Sequence, residues 1–152
     1  MNLGAALTES VREESDALVR KLRINISGCP NSCGQHWIAD IGFYGNARKI
    51  DGREVPYYLM LLGGTEHEFG IAIQSLPARL APTAVERVLE HYKANRQEGE
   101  SFRAYVIRHK AEFFKQLTAD LVKPAAQNPE MYMDWGDQEA FSLKLGRGEC
   151  AA

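Results

Sequence analysis

The sequence lacks the features that would place it in a membrane, on nucleic acid or outside the cell. Its 152 residues contain no apolar run long enough to cross a bilayer and no signal-peptide pattern at the N-terminus. Because 18 basic residues stand against 20 acidic ones, no basic stripe indicates nucleic-acid binding. Three cysteines, an odd number, do not make a disulfide framework. We therefore expect a cytoplasmic protein with one packed core.

The apolar pattern predicts a helix followed by several strands. A helical period predicts a helix over residues 5–21, and alternation over residues 22–27 predicts a half-buried strand. Asp51-Gly52 is a strong signal for a tight turn, because both residues tolerate positive φ. Further strands are predicted at residues 37–44, where Gly45 and Asn46 end the run, at residues 57–62, and at residues 70–73.

Two helices are predicted after the strands. The first starts at Pro82, where Thr83 and Glu86 match a capping box, and Ser101 is expected to cap the second. Their buried faces are predicted to consist of Val85, Val88, Leu89 and Tyr92 in the first helix and Phe102, Tyr105, Val106, His109, Phe113 and Leu117 in the second. This order predicts an α+β fold, with a small, mostly antiparallel sheet covered by helices.

The loop after the first predicted strand carries the main functional signal. Cys29 and Cys33 are separated by Pro-Asn-Ser and flanked by Gly28 and Gly34. Thiolates are preferred ligands of zinc and of iron–sulfur clusters, and this polar spacer is unlike the surroundings of cysteines that serve only packing. Zinc and iron–sulfur centres usually take four ligands, so two thiols form half of a site.

Zinc is one metal that the loop could hold. A zinc-binding structural module would use Cys29, Cys33, His36 and an unknown fourth ligand. The spacing of the thiols also resembles the first two ligands of radical enzymes that bind a cluster through three cysteines, but this chain has His36 at the third position. The other histidines are scattered along the chain, at His67, His91 and His109.

The loop and its surroundings resemble the second cysteine motif of the sirohaem-dependent nitrite and sulfite reductases. The resemblance rests on residues 25–35, which read NISGCPNSCGQ, and on residues 38–45, which read IADIGFYG. Downstream, residues 61–64 resemble a strand end in that family's cluster domain, and residues 85–108 resemble its paired C-terminal helices. About residues 22–110 are covered.

The resemblance implies cofactors and roles for individual residues. Members of this family hold a [4Fe–4S] cluster through two cysteine pairs, and Cys29 and Cys33 match the second pair. Cys33 matches the thiolate that also bridges to the sirohaem iron, which gives electrons a short path to the substrate. Asn31 and Gly34 would lie near the cofactors and tune the redox potential through hydrogen bonds.

The implied parent reaction is the six-electron reduction of sulfite to sulfide or of nitrite to ammonia, with ferredoxin or a flavoprotein as electron donor. The family's upstream cysteine pair and its oxyanion-binding half have no counterpart here, and Met1 stands about where an upstream cysteine would be. We expect residues 1–123 to be a cluster domain truncated at its N-terminus and residues 124–152 an irregular tail. No catalytic residue is expected in this half, and the isolated chain is expected to be inactive and free of cluster.

A partner is implied as well. It is either the N-terminal half or a separately encoded reductase subunit onto which this chain docks, and a homodimer sharing one cluster is a third arrangement. Two other side chains have structural interpretations: we expect His109 to be a satisfied core histidine and Cys150 to be an exposed terminal thiol.

Overall fold

The computed structural model describes residues 2–11, 14–123 and 128–143, so that the expectation for Cys150 lies outside the described residues. The helices and strands, in chain order, are α1 Leu3–Ser10, β1 Ile24–Ser27, β2 Ile41–Ile50, β3 Arg53–Leu62, β4 Ile71–Pro77, α2 Ala81–Asn95 and α3 Phe102–Leu117. Short 3-10 turns lie between them at Val19–Lys21, His36–Ile38, Ala78–Leu80, Ala119–Leu121 and Pro129–Tyr132. None of the described helices is both long and apolar enough to cross a membrane.

The strands form one sheet in the order β1-β2-β3-β4, with β1 parallel to β2 and the other neighbours antiparallel. Asp51 and Gly52 join β2 to β3 with φ values of 49° and 79°, which confirms the predicted turn. β3 lies between two strands, as its apolar sequence predicts. The α+β prediction with a mostly antiparallel sheet is confirmed.

The two faces of the sheet are covered differently. One face packs against the α-helices, and the core there includes Phe43, Met60, Val85 and Tyr105, all with no exposed side-chain surface. A smaller cluster, which joins Val55 and Tyr57 of β3 to Met131 and Tyr132, covers part of the other face. The described part of the predicted tail therefore packs on the sheet; the domain boundary at residues 123–124 stays a prediction.

The predicted helix over residues 5–21 is wrong beyond Ser10, where α1 ends. Further along, the carboxylate of Asp16 accepts hydrogen bonds from the backbone N–H groups of Leu18 (2.9 Å) and Val19 (3.3 Å), at the start of the 3-10 turn Val19–Lys21. Such side-chain bonds offer the backbone an alternative to the helix. The same carboxylate pairs with Arg96 at the end of α2 (2.8 Å), which ties the segment to the helical layer.

Of the caps predicted for α2 and α3, only the cap of α3 is confirmed. Ser101 caps α3 by accepting a hydrogen bond from the N–H of Ala104 (3.2 Å), as expected. The capping box predicted at Thr83 and Glu86 is wrong, because α2 already begins at Ala81 and its N-cap, Leu80, makes no side-chain cap. The preceding 3-10 turn leads directly into the helix, so its first turn needs no separate start signal.

The predicted buried face of α2 is confirmed, and that of α3 is confirmed in its first half. In α3, Phe114 is fully buried, whereas Phe113 and Leu117 are only partly buried. A break at Lys110, with φ 66° and ψ 160°, shifts the phase of the last turns. His109 lies against the rings of Tyr105 and Phe113, but its buried Nε2 has no hydrogen-bond partner among the described residues, so the expectation of a satisfied histidine is wrong.

The strand predicted at residues 37–44 is displaced, because Trp37 lies in a 3-10 turn and β2 continues through Gly45 to Ile50. Gly45 does not end the strand. Its role is steric, since a Cβ there would collide with the carbonyl oxygen of Gly28 at the start of the cysteine loop. A Cβ on Gly42 would likewise collide with the carbonyl oxygen of His36. The glycines of β2 therefore let the loop lie directly against the sheet.

Gly45→Ala should lower the free energy of unfolding by about 2 kcal/mol, because the cysteine loop or the strand must shift to admit the methyl group. Gly28→Ala is the matched control: a Cβ there meets no atom within 4 Å, and the change should stay within about 0.5 kcal/mol. Urea denaturation of both variants measures the difference. Equal stability of the two variants would show that the loop does not need this close approach.

A second prediction concerns acid stability. The Glu100 carboxylate accepts two hydrogen bonds from Arg108, both 2.7 Å, and these hold its pKa at about 2, below the ordinary 4.5. Because the folded-state pKa is the lower one, the stabilisation is complete above pH 4.5 and is lost as the pH falls towards 2. The stability difference between the wild type and Glu100→Gln should therefore shrink over that window. Denaturation curves at several pH values measure it, with the exposed Glu98→Gln as the control for charge removal; a constant difference would contradict the prediction.

Candidate functional site

The two candidate thiols lie on the loop between β1 and the 3-10 turn His36–Ile38. Both are free; Cys33 is exposed and Cys29 is half-buried. Asn31, between them, is exposed as well. Neither thiol is sealed in the core, so both remain available to a group that approaches from outside the sheet. The ligand and cofactor roles assigned to these residues from the sequence stay predictions.

The backbone around Cys33 is held in an uncommon conformation. Ser32 and Gln35, which bracket Cys33 and Gly34, have φ values of 61° and 54°, in the left-handed region that non-glycine residues rarely adopt. Each such residue costs about 1 kcal/mol or more, and the cost persists only where the surroundings determine the conformation. A hydrogen bond from the N–H of Gln35 to the carbonyl of Ser32 (2.8 Å) closes this turn.

Two polar side chains of β1, those of Ser27 and Asn25, hold the turn through hydrogen bonds. The Ser27 hydroxyl accepts a hydrogen bond from the N–H of Gly34 (3.0 Å), and the Asn25 side-chain amide donates to the carbonyl of Gln35 (3.3 Å). Because side chains alternate along a strand, these two residues project from the same face of β1. The N–H of Gly34 is therefore engaged by the protein's own scaffold.

The C-terminal end of the loop, residues 37–40, is held by Arg23, which precedes β1, and by Gly70, which precedes β4. Arg23 donates from its guanidinium to the carbonyl of Ile38 (3.0 Å) and from its backbone N–H to the carboxylate of Asp40 (2.9 Å). The carbonyl of Trp37 accepts from the N–H of Gly70 (2.7 Å). The loop thus leaves β1 and returns to β2 through contacts fixed at both ends.

His36 has a different place from the one expected for a zinc ligand. Its side chain is fully buried, its Nδ1 lies 2.7 Å from the hydroxyl oxygen of Ser27, and its ring packs against Tyr44, with centroids 4.9 Å apart. Burial lowers the pKa of the imidazole, which favours its neutral form. Nε2 is buried and has no hydrogen-bond partner among the residues that the structure describes.

The zinc interpretation is not supported. His36 is enclosed by the core, and the part of the chain that the structure describes brings together no group of three or more His, Cys, Asp or Glu side chains that could hold a metal ion. Of the other histidines, His91 and His109 lie beside each other on α2 and α3, with ring centroids 5.3 Å apart, and His67 lies in the exposed loop after β3.

Ser27 and the glycines of β2 are site residues that the sequence interpretation missed. Ser27 was read as one polar position of an alternating strand, yet it is buried at the strand end, where an unpaired hydroxyl would be costly. The signal that could have found it is its place directly before Gly28 and Cys29. Gly42 and Gly45, three residues apart within a strand, indicate close backbone approach.

Two curated reductases match the sequence of this chain over a little more than half of its length. It is 37% identical over 91 residues to the ferredoxin–nitrite reductase of Synechococcus elongatus, a match that covers 54% of this chain and 18% of that protein. It is 36% identical over 95 residues to the ferredoxin sulfite reductase of Mycobacterium tuberculosis, covering 57% and 17%. The chain therefore spans less than a fifth of the length of these curated relatives.

A solved structure shares the fold. The Mycobacterium tuberculosis NirA protein superposes with a TM-score of 0.64 and 30% sequence identity, over 74% of this chain and 22% of that one. The family model described as the nitrite and sulphite reductase 4Fe-4S domain matches residues 2–124, which include both cysteines and all the described strands and α-helices. The resemblance seen in the cysteine motif is thereby confirmed: this chain belongs to the nitrite and sulphite reductase 4Fe-4S domain family.

Proposed function

We propose that this chain is the C-terminal cluster-binding portion of a nitrite or sulfite reductase that uses sirohaem and a [4Fe–4S] cluster. The observation that carries the proposal is the pair of free thiols, Cys29 and Cys33, on a strained and anchored loop in a chain of this family. In the intact enzyme the cofactor pair would supply the electron transfer for the six-electron reduction of nitrite to ammonia or of sulfite to sulfide.

The residues present fit half of a cluster site. Cys29 and Cys33 provide two of the four thiolates that a [4Fe–4S] cluster takes, and no further metal-binding group is assembled within the described residues. The proposal therefore requires two more thiolates from elsewhere. Their source is the remainder of the reductase, either on the same polypeptide or on a partner subunit.

The exposure of the two thiols supports separate roles for them. Cys33 is the more exposed, and a thiolate shared with sirohaem must face the side from which that large cofactor approaches. We assign Cys33 to the shared position and the half-buried Cys29 to the cluster alone. Asn31, exposed between them, and Gly34 would lie close to the same cofactors.

The names of two relatives support a choice of electron donor. Those compared above are named as ferredoxin-dependent nitrite and sulfite reductases, and we propose ferredoxin as the donor to the enzyme of which this chain forms part. The residues that bind the oxyanion belong to the remainder of the enzyme in this proposal, so the choice between nitrite and sulfite is made there.

The cluster should form only when the missing thiolates are supplied. Co-expression of this chain with the remaining portion of the Synechococcus elongatus relative should give a complex with about one [4Fe–4S] cluster, because the four ligands are then together. Cys29→Ser and Cys33→Ser should each lose the cluster, and Cys150→Ser, the matched control, should keep it. Iron and acid-labile sulfide assays and the electron paramagnetic resonance of the reduced cluster measure the outcome.

Three results would overturn the proposal. One cubane per chain without the co-expressed portion would show that the chain holds a complete site. One zinc ion per chain would support the zinc-binding structural module instead. A cluster retained in both cysteine variants would show that Cys29 and Cys33 are not its ligands. The chain alone should reconstitute no stoichiometric cluster under anaerobic iron and sulfide.

A further inference from the structure

The imidazole of His36 is enclosed by the protein and still touches the scaffold of the cysteine loop. Its side chain is fully buried, with Trp37 and Tyr44 packed around it at ring-centroid distances of 5.5 and 4.9 Å. Its polar contact within the described residues is Nδ1 to the hydroxyl oxygen of Ser27, at 2.7 Å. This contact joins the imidazole to the side chain that accepts the N–H of Gly34.

One of the two hydrogen bonds at Ser27 has a fixed direction, and the other depends on the tautomer of His36. Ser27 accepts from the N–H of Gly34, which can only donate. The hydroxyl hydrogen of Ser27 is not used in this bond and can be donated to another acceptor. A serine oxygen has two lone pairs, so it can accept from Nδ1–H as well as from Gly34, or it can donate its own hydrogen to an unprotonated Nδ1. In the second arrangement the bonds run in one direction, from the N–H of Gly34 to the hydroxyl of Ser27 and from that hydroxyl to His36. This arrangement places the imidazole proton on Nε2.

We propose that His36 is a positioning residue that fixes the conformation of the loop carrying Cys33. By accepting the Ser27 hydroxyl hydrogen, it selects the rotamer in which that oxygen faces the N–H of Gly34, the peptide directly after Cys33. Without the acceptor, the hydroxyl of Ser27 turns to find another partner, and the anchor on the strained turn between Ser32 and Gln35 is lost. What Cys33 binds rests on the proposed function; the positioning is a property of the free chain.

Two substitutions distinguish a His36 that positions the cysteine loop from a His36 that only fills space in the core. His36→Phe keeps an aromatic ring and removes the acceptor, whereas His36→Asn loses the ring and keeps an acceptor oxygen close to the position of Nδ1. If His36 positions the loop, the Asn variant should resemble the wild type and the Phe variant should not. If His36 only fills space, the order should be reversed.

The measurement is hydrogen exchange of the Gly34 amide by NMR in the free chain. His36→Phe should speed this exchange about tenfold, the factor expected when one hydrogen bond is lost, and Ser27→Ala should do the same. The double variant should add no further change, because both substitutions break one chain of bonds. His36→Asn should stay within about twofold of the wild type. The alkylation rate of Cys33, measured relative to that of Cys29 in a Cys150→Ser background, should also change in His36→Phe and in Ser27→Ala.

A spectroscopic test needs no variant. The ¹⁵N shifts of His36 in the wild-type chain should show the proton on Nε2, and a proton on Nδ1 would overturn the proposed directions. Slow Gly34 exchange in the Phe variant, or fast exchange in the Asn variant, would overturn the positioning role. Because no iron is present, these outcomes are independent of cluster assembly: failure of the cluster experiment with a tenfold effect at Gly34 would refute the proposed function alone.

Discussion

The site depends on how closely the cysteine loop lies against β2. The carbonyl oxygens of Gly28 and His36 occupy the space where side chains of Gly45 and Gly42 would be, so any larger residue in the strand would push the loop outwards. A Cβ on Gly34 would in turn collide with the carbonyl of Ile26. These contacts explain why glycine appears inside a strand, where it ordinarily weakens the structure. They let the cysteine loop lie close to the sheet.

The strain in the loop is offset by the rest of the molecule. Two non-glycine residues in the left-handed region would relax in an isolated peptide. Here the turn is held because Asn25 donates to the carbonyl of Gln35 and Ser27 accepts from the N–H of Gly34, and both anchors stand on a strand paired with β2. The sheet is held by the apolar core that it shares with α1, α2 and α3. The helical layer therefore contributes to the site by supporting the sheet to which the loop is anchored.

Local patterns in the sequence were sufficient for the fold class and for the position of the thiols. The Asp51-Gly52 turn, the central β3 and the Ser101 cap each follow from neighbouring residues, and the structure confirms them. The ion pair of Asp16 with Arg96 and the close approach of Gly28 to Gly45 exist only in the folded chain. Such contacts join residues far apart in sequence, so periodicity could not show them. The role of Ser27 was missed for the same reason, since its partners lie in the following loop.

The strand that supports the thiols is also the edge of the sheet. β1 has four residues and, within the described residues, pairs only with β2, so its outer backbone groups remain open. Short edge strands limit unwanted association between molecules, yet this one also bears the anchors of the cysteine loop. A neighbouring segment that joined the sheet there would press on those anchors directly. Pairing at this edge and the position of the two thiols would then be mechanically linked.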